Sequence, residues 1–137
     1  MRTALDMNVL SAILDDEPQA EALAEKLGEA RMAGSIVVCG AVFAEAMAHT
    51  KATEGMLRKF LREVGVDIAF ELGEEVWVEA GRRYALYAGR RRKSSGGEPK
   101  RLLADFIIGS HALVDADRLM TLDRGRYERD FPELKLI

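Results

Sequence analysis

Short, continuous apolar runs alternate along the chain with segments in which apolar residues recur every three or four positions. A continuous run of four to eight residues bounded by turn formers marks a strand buried on both faces, and the spaced pattern marks an amphipathic helix. Residues 4–6 therefore close a short buried strand, and "NVLSAIL" leaves it as a helix. "EPQAEALAEKLGEARM" carries Ala and Leu at helical spacing with acids on the other face. "SIVVCG" is β-branched and flanked by Gly, which predicts a second strand. "AVFAEAMAHT" and "ATEGMLRKFLREVG" follow as helices, and "VDIAF" as a third strand. "LGEEVWVEAGRRYALYAGRR" predicts a long helix with Val76, Ala80, Ala85 and Leu86 facing the core. "KSSGGEP" is a loop, "KRLLADFIIGSHALVDA" a strongly apolar helix, "RLMTLD" a fourth strand and "ERDFPELKLI" a last short one.

Strands alternating with helices argue for one α/β domain over residues 1–137, with a mainly parallel sheet of about four or five strands. In such sheets ligands bind outside the carboxyl ends of the strands. Asp6 ends the first strand and Asp123 ends the fourth, which sets two acids on one edge of the sheet.

Composition narrows the class. A hydrophobic fraction of 48% and a charged fraction of 31% describe an ordinary globule, and the formal charge of −3 advertises no general affinity for nucleic acid. The lone Cys39 can form no intrachain disulfide, which suits a reducing, cytoplasmic setting. The opening apolar run is broken by Asp6, too early for a signal-peptide core, and nothing approaches the roughly 20 apolar residues of a membrane span.

Four acids stand in apolar surroundings: Asp6 in "ALDMNVL", Glu45 in "AVFAEAMA", Asp105 in "RLLADFIIG" and Asp123 in "RLMTLD". A buried ionised carboxylate is costly unless it is paired, hydrogen-bonded or bound to a metal. Each has a local explanation. Asp6 can cap the helix that follows, Glu45 can be a solvated position, Asp105 can pair with Arg101, and Asp123 can be a turn residue. Together they weigh differently, because other acids such as Glu21, Glu25 and Glu29 sit in plainly solvated runs. Carboxylates without a cysteine ligand suit a hard cation, Mg²⁺ or Mn²⁺, which binds phosphate oxygens and activates water.

"ALDMNVL", "AVFAEAMA", "RLLADFIIGSHAL" and "LMTLDRGRY", in this order and spacing, resemble the four acidic blocks of PIN-domain ribonucleases, most of all the small VapC-type toxins of bacterial toxin–antitoxin pairs. The resemblance spans essentially the whole chain. It implies a three-layer α/β/α sandwich and an acidic pocket for one or two Mg²⁺ or Mn²⁺ ions. It also implies cleavage of RNA and control by a small antitoxin. By position it assigns Asp6, Glu45, Asp105 and Asp123 to catalysis and metal binding, with Asn8 and Thr121 in support. Met7 stands where the family often has Thr or Ser, at a position expected to point away from the metal. Strand alternation is expected to aim Thr121 and Asp123 to one side. Gly109, one helical turn past Asp105, would either leave room beside the carboxylate or allow close helix packing.

Residues 81–101 hold eight Lys or Arg and one acid. Arg90, Arg91, Arg92, Lys93 and Lys100 are candidates to bind RNA phosphate and to steer a polyanion toward a pocket that otherwise repels it. Tyr84 and Tyr87 are expected partly in the core, with stacking on unpaired bases as the alternative. Arg124 and Arg126 are further candidates for phosphate or antitoxin contact. His111 reads as structural, and His49 as a helix-end residue able to reach the pocket mouth. Met56, Leu57, Phe60, Leu61, Val76 and Trp77 form more apolar surface than one sheet face needs, which points to a homodimer. Two rival functions remain open on the sequence: a PIN-like module that binds RNA or a partner without cleaving, and an Mg²⁺-dependent small-molecule phosphatase.

Overall fold

The computed structural model describes residues 1–49, 52–94 and 102–137. Most of the expected loop, together with Lys100 and Arg101, lies outside the described residues. Strand β1 (Arg2–Leu5) runs into helix α1 (Met7–Leu14), then α2 (Ala20–Ala33) and β2 (Ser35–Cys39). Helices α3 (Gly40–Ala46) and α4 (Glu54–Val64) lead to β3 (Val66–Ala69). Long helix α5 (Glu74–Lys93), α6 (Leu103–Asp115), β4 (Arg118–Met120) and the single turn α7 (Gly125–Glu128) complete the chain.

The four strands form one parallel sheet in the order β3-β2-β1-β4. Thr3, Ala4 and Leu5 of β1 and residues 36–39 of β2 are buried, as a parallel sheet covered on both faces requires. Helices flank the sheet: α5 lies against α6, α1 against α2 and α3, and α3 against α6. This is the expected α/β/α architecture. The chain builds outward from β1 through β2 to β3, then returns to the other side of β1 as β4. Strand order therefore reverses between β1 and β4, and it is outside the carboxyl ends at such a reversal that sheets of this kind bind ligands.

The last segment falls short of a fifth strand. Leu136 makes a single parallel bridge to Leu119, supported by Leu119 N–H to Lys135 O at 2.9 Å and Thr121 N–H to Ile137 O at 3.1 Å. The tail thus covers the open edge of β4 and leaves no long unpaired row there.

Beneath α6 the aromatic rings form one cluster. Phe106 meets Tyr84 at 5.2 Å, Tyr87 at 5.5 Å and Phe131 at 6.1 Å, and Phe131 meets Tyr127 at 6.2 Å. Full burial of the Phe106, Phe131 and Tyr127 rings contributes about 1.5–3 kcal/mol each, and Tyr84 and Tyr87 are half-buried beside them. The cluster ties α5, α6 and α7 together, so the neighbours of Phe106 and Tyr127 in sequence, Asp105 and Arg126, are held from behind. Gly109 belongs to this packing. A Cβ there would sit 2.6 Å from the Phe131 ring, so the missing side chain makes room for Phe131 and not for a ligand.

Helix α4 ends on Gly65 at φ 73°, a left-handed cap, and Arg31 Nη1 donates to its carbonyl at 2.7 Å. Helix α5 departs from expectation. Val76, Ala80 and Ala88 are buried, but Ala85 is exposed and Leu86 is 60% exposed. The buried face runs through residues 76, 80, 84 and 87–88, and positions 85 and 86 rotate off it. Of the apolar residues that point to a dimer, Leu57, Leu61 and Val76 are buried in this chain's own core and Phe60 packs half-buried against it, while Met56 and Trp77 remain exposed.

Candidate active site

Asp6 follows β1 at the reversal of strand order and is 1% exposed. It is the N-cap of α1: Met7 N–H donates to its Oδ1 at 2.8 Å. Its Oδ2 accepts from Thr121 Oγ1 at 2.8 Å. A carboxylate accepts about four bonds, so these two use half its capacity. Capping and site geometry are therefore compatible roles for one side chain.

Strand β4 stops at Met120, three residues earlier than the apolar run suggests. The Thr121 hydroxyl explains the stop. While donating to Asp6 it accepts from Asp123 N–H at 3.0 Å and from Asn8 Nδ2 at 3.3 Å. Asn8 Oδ1 in turn accepts from Leu122 N–H at 3.1 Å. The hydroxyl is saturated, and these bonds curl the chain after β4 onto the start of α1. Thr121 and Asp123 are thus joined by a turn, not by strand alternation.

Asp105, in the first turn of α6, is 9% exposed. Glu45, near the end of α3, is half-buried. Its carboxyl is pushed above the usual carboxylate range by burial first, then by the charges of Asp105 and Asp6, with Arg126 opposing. Asp6, Glu45 and Asp105 therefore share one electrostatic site. Asp123 is exposed; its Oδ1 accepts Arg126 N–H at 3.2 Å, and its Oδ2 lies 3.4 Å from Arg126 Nε. Arg126 Nη1 reaches Asp105 Oδ1 at 3.5 Å, so this guanidinium links Asp123 to the buried acids. The Tyr127 hydroxyl is buried, and its phenol is pushed far above its ordinary value by burial and then by Asp6.

The basic residues divide. Arg90 forms an ion pair with Asp130, whose side chain is 5% exposed. Arg124 sits near Glu128 and donates to Leu136 O at 3.3 Å. Arg92 is exposed on α5. Arg91 and Lys93 line a cavity of about 500 Å³ with Tyr87, Arg90, Ser94 and Arg129. Tyr87 also packs on Phe106, so it serves the core on one side and this cavity on the other. His49 Nε2 lies 2.8 Å from Asp15 Oδ1 at the end of α1, which turns it to a neighbouring acid. His111 is buried within α6, and burial lowers its pKa.

Sequence reasoning placed Arg126 only at the level of phosphate or antitoxin contact, and it missed Arg129 and Tyr127. The three-residue spacing from Asp123 to Arg126 is the one local signal for the first of these.

Among the described residues no three acids, histidines or cysteines stand close enough to make a ready-formed ion cage. The donor chemistry fits a hard divalent cation nonetheless. The donors are all oxygen, Glu45 is raised by burial and then by the charges of Asp105 and Asp6, and the Arg126 guanidinium lies beside Asp105.

A family model described as PIN domain matches residues 3–132, and the chain belongs to the PIN-domain family. Such domains are typically nucleases. Among solved structures the chain is similar to VapBC2 from Rickettsia felis bound to a DNA fragment from their promoter. The identity is 17% and the TM-score 0.69, covering 100% of this chain and 98% of that one. It is likewise similar to VapBC-1 from nontypeable Haemophilus influenzae, at 18% identity and TM-score 0.65, covering 100% and 97%. No curated protein matches it. Among the described residues no helix is long and apolar enough to cross a membrane.

Proposed function

We propose that this chain is a Mg²⁺- or Mn²⁺-dependent endoribonuclease acting as the toxin of a toxin–antitoxin pair. The observation that carries the reading is Arg126 held 3.5 Å from Asp105 and 3.4 Å from Asp123 beside the reversal of strand order, with the charges of Asp105 and Asp6 felt at Glu45. The VapBC assemblies among its structural relatives support a small protein partner.

Asp6, Glu45, Asp105 and Asp123 would hold the ion. When bound, it supplies Lewis acidity and a water of lowered pKa. The chain's own residues do the rest. Thr121 and the Met7 amide fix Asp6 before substrate arrives, so no reorganisation is spent at the moment of reaction. Arg91, Lys93 and Arg129 around the cavity beside Tyr87 bind phosphates of the strand, with Arg92 extending the track; Lys100, outside the described residues, is proposed as a phosphate contact on its sequence alone. The Tyr87 ring offers a face to an unpaired base. Arg90 and Arg124 contribute positive potential while serving their structural pairs. Water attacks phosphorus in line and a sugar oxygen leaves, giving a 5′-phosphate and a 3′-hydroxyl.

An antitoxin presenting a basic side chain to the acidic pocket would silence the enzyme. We assign the chain to the cytoplasm, as a single domain. We further propose a homodimer through Met56, Phe60 and Trp77, which would align two pockets along one RNA path. The test is incubation of the purified chain with single-stranded RNA in Mg²⁺, Mn²⁺ or EDTA, with end-group analysis. Cleavage only with metal and 5′-phosphate products support the proposal. Undiminished cleavage in EDTA, or binding without cleavage in every buffer, contradicts it.

A further inference from the structure

Among the described residues, Arg126 is the cation that stands beside Asp105 and Asp123. Its guanidinium lies 3.5 Å from Asp105 Oδ1 and 3.4 Å from Asp123 Oδ2. Its position is set from behind. Tyr127, next in the chain, is fully buried against Phe131, and the Arg126 amide is tied to Asp123 Oδ1. The Arg126 side chain is 38% exposed, so it has a way out toward solvent.

The contacts are long. They lie at or beyond the outer edge of hydrogen bonding and do not form the short parallel fork of a committed arginine–carboxylate pair. Charge attraction holds the guanidinium there, and a stronger cation can replace it. A divalent ion on Asp105 and a guanidinium at 3.5 Å from the same oxygen repel each other at close range. Among the described residues the acids make no ready cage, and the single guanidinium offsets only part of their combined negative charge.

We infer that Arg126 is the resident counter-cation of the acidic pocket, which a divalent ion must displace from between Asp105 and Asp123, and which once displaced faces the phosphate of the substrate. The inference rests on the metal-dependent reading above. It makes one side chain serve two opposite ends: it weakens metal binding and strengthens RNA binding. A merely structural arginine does neither in opposition.

The test compares the wild-type chain with Arg126→Gln and Arg126→Lys. Mn²⁺ alone is titrated by calorimetry, and RNA affinity is measured separately in EDTA and in Ca²⁺. Arg126→Gln is expected to bind Mn²⁺ about tenfold tighter, the scale of one coupled interaction. It is also expected to melt earlier than wild type in EDTA and to bind RNA more weakly in Ca²⁺. Arg126→Lys falls between. Should the variants fail to fold, the wild-type chain decides alone: the Arg126 Nε–H resonance is expected to move toward that of free arginine as Mg²⁺ binds. An unmoved resonance in Mg²⁺-loaded protein overturns the inference, as does Mn²⁺ binding by Arg126→Gln that is equal or weaker. Wild-type binding without a gain in the variant overturns this inference alone. No Mn²⁺ binding by any of the proteins overturns the metal reading with it.

Discussion

Thr121 Oγ1 donates to Asp6 Oδ2 across 2.8 Å, joining residues 115 apart in sequence at the ends of two neighbouring parallel strands. The same oxygen accepts from Asn8 and from the Asp123 amide, so one hydroxyl sets the relative placement of three elements of the site. Thr121→Val keeps the shape and removes the hydroxyl. It leaves a buried carboxylate one donor short, which is expected to cost about 1–3 kcal/mol in urea unfolding and to slow RNA cleavage. Thr121→Ser is expected to recover most of both. An unchanged unfolding midpoint and rate in the Val protein would show that the hydroxyl positions nothing.

Glu45 gives a pH-dependent prediction. Its folded pKa is raised above the usual value of 4.5 by burial, Asp105 and Asp6. The stability contributed by the protonated form is complete below 4.5 and is lost as pH rises through the folded value. Glu45→Gln stays neutral throughout. In EDTA the variant is expected to match wild type near pH 4 and to be the more stable protein at pH 7, while added Mn²⁺ stabilises wild type more. Equal stabilities at pH 7 in EDTA would contradict the shared electrostatic site.

The basic residues are expected to separate by experiment. Arg91→Gln, Lys93→Gln and Arg129→Gln, which line the cavity beside Tyr87, are each expected to lower the salt dependence of RNA binding by about one phosphate contact. Arg90→Gln is expected to act differently. It strips an ion-pair partner from the buried Asp130 and lowers stability as well as affinity. Salt slopes unchanged in the first three variants would make that cavity a solvated surface.

Gly109→Ala places a methyl group where the Phe131 ring stands, 2.6 Å from it. Overpacking of this kind costs about 1–3 kcal/mol. A lower melting temperature with metal affinity intact is expected. Loss of metal affinity without loss of stability would instead mean that Gly109 makes room for the ion.

These residues show what was legible in the sequence. Asp6 and Asp105 stand out because a carboxylate inside an apolar run needs a partner, and both lie buried at one site. The strand–helix alternation set the parallel sheet and its functional edge. The run "RLMTLD" predicts a strand through Asp123, but the Thr121 hydroxyl captures the Asp123 amide and turns the chain, a side-chain event that periodicity does not carry. Ala85 and Leu86 match a helix as well as any apolar residue, but they lie off the face that residues 76, 80, 84 and 87–88 turn to the core, and both are exposed. Arg126 reaches Asp105 through the packing of Tyr127 and Phe131 beneath it, contacts between segments distant in sequence.

Asp6, Glu45, Asp105 and Asp123 are proposed to hold a metal for RNA hydrolysis. The most direct measurement is single-turnover cleavage of one RNA in Mn²⁺ by wild type and Asp105→Asn at matched concentration, with circular dichroism to verify the fold. The account predicts a folded variant slower by at least about 100-fold, the scale on which one electrostatic group acts in a preorganised site. A folded Asp105→Asn protein that cleaves at the wild-type rate would contradict it.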